Sequence, residues 1–330
     1  MNKKKLAKVL YIILIAAILL PLGYYDNAHG GKFTYLITAP IALLLGLIFA
    51  FTLPHPCPKF NKKTSKYLLQ IAVVCLGFSM NLNESLRSGS EGMLFTVVSV
   101  VGVMVIGTLV AYAMHLNRKT SYLISSGTAI CGGSAIAAVG PVLNADDDEM
   151  AVSLGVIFIL NALALFIFPP LGHLFDMSQT QFGTWAAIAI HDTSSVVGAG
   201  EVYGPQALET ATLIKLTRAL WIIPLALVTM FLFRSSSSSG SRKISIPWFI
   251  FIFIAAMVVN TYCPLPDVLT AALVWVAKRG MVLTLFLIGA SLSLASVRSV
   301  GVKPLLLAVI LWVVIGVSSL FVVLETIPGD

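Results

Sequence analysis

The sequence predicts an all-α polytopic membrane protein, and three observations carry that reading. Of 330 residues, 58% are hydrophobic and 11% charged, and the mean hydropathy is +0.95. A soluble domain is about one-quarter charged. The apolar residues fall in unbroken runs close to the roughly 20 residues of a spanning helix, not in alternating segments of about ten as in a membrane barrel. Basic residues collect between alternate runs. In lipid every backbone N–H and C=O must be paired within the protein, so such runs are helices.

About eleven hydrophobic segments can be drawn, near 8–24, 34–53, 65–82, 93–114, 121–141, 150–170, 182–200, 206–233, 246–263, 279–297 and 303–323. The first follows Lys3, Lys4, Lys5 and Lys8. No small-x-small cleavage site succeeds it, so it reads as a retained span. The second ends before Lys59, Lys62, Lys63 and Lys66, the fourth before Arg118 and Lys119. Arg234, Arg242 and Lys243 follow the eighth, Arg298 and Lys303 the tenth. With regular threading these fifteen of the 21 basic residues lie on one side, against Lys32, Arg87, Lys278 and Arg279 opposite. The positive-inside rule makes the crowded side cytoplasmic, with the N-terminus inside and the C-terminus outside. The net charge of +7 therefore belongs to loops at a membrane and does not indicate nucleic acid. Ser235–Ser239 reads as a flexible linker in an inside loop. The loops 142–149 and 171–181 lack Lys and Arg, so 121–141 and 182–200 can either cross or re-enter.

The whole chain, 1–330, is expected to be one transmembrane domain: an extra N-terminal span in 1–30, a first half in 31–170 and a second in 171–330. Two weak internal repeats support an inverted-repeat architecture with two broken or re-entrant helices. Leu76-Gly77-Phe78-Ser79-Met80-Asn81-Leu82 resembles Ile288-Gly289-Ala290-Ser291-Leu292-Ser293-Leu294, an offset of 212. Ile130-Cys131-Gly132-Gly133-Ser134 aligns with Ile190-His191-Asp192-Thr193-Ser194, an offset of 60.

Candidate binding residues lie where polar groups interrupt apolar sequence. Thr128, Cys131, Gly132, Gly133 and Ser134 suit unwound backbone whose free N–H groups face a ligand, although small residues also serve close helix packing. His191 and Asp192, with Ser194 and Ser195 beside them, put ionisable groups inside an apolar run, where they are costly. Lys215 and Arg218 lie mid-segment, three apart and so on one helical face. If Asp192 pairs with one cation, the other is left for an anion. The four cysteines, Cys57, Cys75, Cys131 and Cys263, have no metal-site spacing, and no phosphate-binding glycine loop occurs. No cofactor or metal is expected.

These motifs resemble the YeiH-like family of conserved bacterial membrane proteins, a family named for sulfate export. The resemblance rests on Gly127-Thr128-Ala129-Ile130-Cys131-Gly132-Gly133-Ser134-Ala135, on His191-Asp192 with Val196-Val197-Gly198-Ala199-Gly200, and on Lys215-Leu216-Thr217-Arg218. Ile246-Pro247-Trp248-Phe249 and Gly301-Val302-Lys303-Pro304-Leu305-Leu306 add to it. Family members often carry His-Glu where this chain has His191-Asp192. The resemblance implies a bacterial inner-membrane protein and an oxyanion such as sulfate.

The expected function is a secondary active carrier of a small anion, sulfate or a related oxyanion or sulfonate, coupled to a proton or sodium. A homodimer stays open. One alternative is a cation/proton antiporter with Asp192 as its ion site. Another is an intramembrane enzyme with Cys131 or Ser134 as nucleophile and His191 as base.

Overall fold

The computed structural model describes residues 3–20, 23–26, 32–83, 93–233, 248–263, 265–291 and 301–329. The Ser235–Ser239 linker and the charges Arg87, Arg234, Arg242, Lys243 and Arg298 lie outside the described residues.

The chain is helical, with one departure from the all-α expectation. β1 (Gly23–Asp26) and β2 (Lys32–Tyr35) form an antiparallel hairpin with Tyr25 opposite Phe33, at the edges of the runs 8–24 and 34–53. Aromatic residues favour paired strands. Among the described residues, five helical stretches are long and apolar enough to cross a bilayer: Phe95–Ala113, Asp147–Leu174, Pro205–Leu232, Asp267–Ser291 and Val302–Thr326.

The chain divides into two compact units, each drawing on both the 31–170 and the 171–330 halves. The first combines Met1–Leu82 with Phe249–Leu294. It holds α1 (Lys3–Leu19), α2 (Ala39–Thr52), α3 (Pro58–Gly77), α12 (Phe249–Tyr262) and α13 (Asp267–Ser291). α13 packs on α2 and α3, and α3 on α12. Two of these crossings are backbone-close because glycine stands there. A Cβ on Gly289 would sit 2.6 Å from the Leu43 carbonyl, and one on Gly77 2.9 Å from that of Phe253. Small residues permit such approach where lipid supplies no hydrophobic drive between helices.

The second unit, Asn83–Trp248 with Ala295–Asp330, contains every candidate site residue. Its helices are α4 (Met93–Ala113), α5 (Arg118–Ala129), α6 (Gly133–Leu143), α7 (Asp147–Leu174), α8 (Gln179–Ala189), α9 (Thr193–Tyr203), α10 (Pro205–Ala219), α11 (Ile222–Leu232) and α14 (Val302–Thr326). The runs 121–141 and 182–200 are each two half-helices, and each pair folds back as a hairpin. At the base of the first, Lys119 Nζ near the start of α5 donates to the carbonyl of Asn144 (2.7 Å), just past the end of α6. Lys119 also reaches Glu149 in the first turn of α7 (3.7 Å). At the base of the second, the Gln179 side chain accepts from the Gln206 N–H (3.0 Å), just beyond α9. Tyr203, the last residue of α9, donates to the Met177 carbonyl (2.5 Å), just before α8.

The bases lie at opposite ends of α7, because the first adjoins Glu149 and the second follows Leu174. The tips meet beside its middle, where Asn161 Oδ1 accepts from the Asp192 N–H (3.0 Å). Flanking helices agree on these two ends. Lys303, opening α14, donates to the Met114 carbonyl after α4 (3.2 Å), at the Arg118 end. Gln181 donates to the Ile327 carbonyl after α14 (2.8 Å), at the Gln179 end. Local signals fix the entrances: Asn117 caps α5, and capping boxes Asp146/Glu149 and Ser178/Gln181 start α7 and α8. The long segment 205–232 breaks at Leu220–Trp221, where Pro224 lacks the N–H that would donate to the Leu220 carbonyl.

Candidate functional site

The first half-helices end because their next residues leave helical dihedrals. Ile130 closes α5 at φ −122°, ψ −84°, and Gly132 follows at φ 64°, ψ −124°, a region open essentially to glycine. Ile190 closes α8 in extended backbone, and Asp192 remains extended. The site thus gathers two helix C-termini, whose carbonyls carry partial negative charge, and two N-termini, whose amides carry partial positive charge.

Lys215 and Arg218, both fully buried, serve the C-termini. Lys215 Nζ donates to the carbonyls of Ile130 (3.0 Å), Ala187 (3.2 Å) and Ile190 (2.7 Å). Three acceptors use all three N–H donors, which an ammonium has and a neutral amine lacks. One side chain therefore ties both hairpin tips. Arg218 donates from Nη1 to Ser99 Oγ (2.9 Å) and from Nη2 to the Ala129 carbonyl. Trp312 donates from its indole to the Ala189 carbonyl (3.1 Å). Among the described residues neither cation reaches a carboxylate. Asp192, the acid considered as a partner for one cation, caps α9 instead, and the cations bond to carbonyls and to the Ser99 hydroxyl.

The N-termini differ. Asp192 accepts from the Ser194 N–H (3.0 Å) and from the Ser194 hydroxyl, so α9 starts with a carboxylate on its amides. Gly132 stands at the N-cap of α6 and offers no side chain. Gly133 is the first residue of α6, which corrects the expectation that both glycines lie in non-helical backbone. The carbonyl of His191 is 3.4 Å from where a Cβ on Gly132 would stand, so the two tips touch.

Around them lie buried polar atoms without a protein partner: Thr128 Oγ1, Asn161 Nδ2, both ring nitrogens of His191, and Arg218 Nε. Unsatisfied polar atoms this deep are costly and call for a ligand or water. Cys131, Ser194 and Ser195 are buried beside them, Asp192 is half-buried, and Ser134 is exposed on α6. Exposure at Ser134 separates it from the buried cluster.

Asn161, Ser99 and Trp312 were not singled out from the sequence. Asn161 carried a readable signal, a carboxamide inside the apolar run 150–170. Ser99 and Trp312 carried none, since a serine or tryptophan in an apolar helix reads as packing. At the Gln179 end, a cavity of about 270 Å³ is lined by Phe95, Thr180, Thr184, Ile188, Thr210 and Ile214, among others. Thr210, Ile214 and Arg218 follow one another at single-turn spacing on α10, so the cavity points along the face that carries the guanidinium.

Residues 9–308 match the family described as Conserved hypothetical protein 698. The chain belongs to that family. It is 63% identical over 287 residues to a UPF0324 membrane protein of Bacteroides thetaiotaomicron, covering 86% of each chain. It is 49% identical over 330 residues to a UPF0324 membrane protein of Porphyromonas gingivalis, covering 98% of each. No solved structure matches. The family and the apolar helices agree on a multi-pass membrane protein.

Proposed function

We propose that this family member is a secondary active carrier of a small oxyanion, sulfate or a related sulfonate, bound at the open N-terminus of α6. The observation that carries this reading is the asymmetry at the hairpin tips. Two buried cations and two helix N-termini share one built-in carboxylate, and Asp192 already occupies the N-terminus of α9. Arg218 Nε, Asn161 Nδ2 and the Thr128 hydroxyl are buried at the same tips without a protein partner, a donor-rich setting of the kind that oxyanions take.

The half-helices have 12 and 11 residues, a rise of about 16–18 Å, or half of the roughly 30 Å hydrocarbon core. Tips at that depth fit a midplane site reached from either side. An inverted repeat accounts for the layout. An offset of 60 carries Gly133–Leu143 onto Thr193–Tyr203 and Gly132 onto Asp192. An offset of 212 carries α2, α3 and α4 onto α12, α13 and α14 within a few residues. It also pairs the close contact of Gly77 on α12 with that of Gly289 on α2. In this reading the hairpins re-enter from opposite faces. The Arg118 end is cytoplasmic, the threonine-lined cavity opens outside, and the C-terminus is outside.

A cation carrier is less well supported, because Asp192 is engaged as a helix cap beside two fixed cations. An enzyme is also less well supported, because His191 makes no hydrogen bond to Cys131 or Ser134, whereas a nucleophile needs its base in contact.

Thermal unfolding of the purified chain across an anion panel tests the reading. Sulfate or a sulfonate at 100-fold its Kd should stabilise by about 2.7 kcal/mol, with chloride at equal ionic strength inert. Stabilisation by cations alone would overturn it. In intact cells, an impermeant thiol reagent on a cysteine-free background should label Gly329→Cys and spare Ser237→Cys; the reverse pattern would overturn the orientation.

A further inference from the structure

The buried charges do not balance, and the imbalance depends on the valence of the anion. Lys215 is an ammonium by its three carbonyl acceptors, and Arg218 is a guanidinium in any protein. Asp192 accepts two hydrogen bonds on one oxygen, from the Ser194 N–H and hydroxyl, as a carboxylate does. The thiol of Cys131 is neutral when protonated. The two helix C-termini and two N-termini offset each other in sign. One net positive charge remains at the tips.

A monovalent anion neutralises that charge. A divalent oxyanion overshoots it by one, and an uncompensated charge in a low-dielectric interior is strongly disfavoured. The site holds one group able to absorb the excess. His191 is 1% exposed, and neither of its ring nitrogens has a protein partner. Lys215 and Arg218 on α10 are the charges that act on it. Asp192 follows it in the chain with its N–H on Asn161 of α7, and the His191 carbonyl meets Gly132 of the other tip, next to Cys131. Without ligand the two cations oppose an imidazolium. A dianion reverses the local sign and favours one.

Resting on the carrier reading above, we propose that His191 is a proton site filled only when the bound anion is divalent. The coupling ion is then a proton, not sodium. The imidazole takes the proton from the aqueous side on which the dianion binds and returns it to water when the dianion leaves. A monoanion such as methanesulfonate binds without it.

Calorimetric titration of the purified full chain, repeated in buffers of different ionisation enthalpy, counts the protons taken up per anion. At neutral pH sulfate should take up about one proton and methanesulfonate about none. His191→Gln should remove the uptake with sulfate. Sulfate binding without proton uptake in the unmodified chain, or equal uptake with both anions, would overturn this inference while leaving the carrier reading standing. Uptake that persists in His191→Gln would also overturn it. Failure of both anions to bind would overturn the carrier reading and this inference together. The comparison of the two anions on the unmodified chain decides the matter even if the variant does not fold.

Discussion

In the hairpin 179–203 the residue before the second half-helix is Asp192, and its carboxylate caps the Ser194 N–H. In the hairpin 118–143 the equivalent residue is Gly132, at φ 64° and without a side chain. The half-helices that follow, Gly133–Leu143 and Thr193–Tyr203, each have 11 residues. Both begin beside the middle of α7, and Lys215 holds the carbonyls that precede both. A helix N-terminus attracts negative charge whatever its source. One hairpin supplies that charge from its own chain, and the other has no side-chain cap at the matching position, which is where the proposed anion would sit. Two hairpins of like length thus differ at one residue, and in the proposed reading that difference separates a fixed electrostatic element from a binding one.

The largest difference between the two tips should come from forcing a side chain onto the Gly132 tip. Gly132→Val places a β-branched residue at positive φ, a strain of about 1–3 kcal/mol. Its Cβ would also stand 3.1 Å from Ile157 Cγ2 and 3.4 Å from the His191 carbonyl. Asp192→Val at the matching position loses only a cap, worth about 0.5–2 kcal/mol, because φ there is −92°. Thermal unfolding should rank Gly132→Val clearly below Asp192→Val. Equal melting temperatures would mean that the tips are not the unequal pair described.

Lys215→Met bears on both tips at once. It strands carbonyls at both tips, each unsatisfied group costing about 1–3 kcal/mol. Arg218→Lys keeps the charge but loses the planar fork, and it disturbs the first tip alone. Stability should therefore fall more for Lys215→Met, and anion affinity should fall for Arg218→Lys in the protein that still folds. Hydrogen exchange would sharpen the comparison. Lys215→Met should loosen Ser194–Val197 and Ala135–Val139 alike, and Arg218→Lys only the second set.

Much of this was legible in the sequence, for physical reasons. Lipid leaves the chain no way to conceal its spans, and a glycine pair or an ionisable dipeptide inside them is too costly to be incidental. Both breaks fall where Gly132-Gly133 and His191-Asp192 placed them, and Lys215 and Arg218 do share the face that meets them. The direction of the helix ends was not legible. A cation in an apolar run announces a partner, but Asp192 and a ring of carbonyls are equally good candidates until the half-helices are placed. The loops 142–149 and 171–181 carry no Lys or Arg, so charge could not say that 121–141 and 182–200 turn back; the contacts of Lys119 and Tyr203 do. α6 starts at Gly133, one residue earlier than a break at both glycines would set it, and Ser134 in its first turn is exposed.

The smallest change in structure separates the two roles of Asp192. Asparagine accepts the Ser194 N–H through its amide oxygen, and it caps helices about as well as aspartate. Asp192→Asn should thus keep the cap, but it removes one negative charge from the tips, so the melting temperature of the ligand-free protein should fall through charge alone. The tips then carry two net positive charges, so a dianion is balanced without help from His191. Sulfate should bind tighter, on the order of tenfold for about 1.4 kcal/mol of Coulomb energy, and its proton uptake should fall toward that of methanesulfonate. Calorimetry in two buffers measures both quantities in one series. Tighter sulfate binding with undiminished proton uptake would place the proton elsewhere than at a charge-balancing imidazole. Unchanged affinity would show that the carboxylate of Asp192 does no more than start α9, and the electrostatic contrast between the two hairpins would be lost.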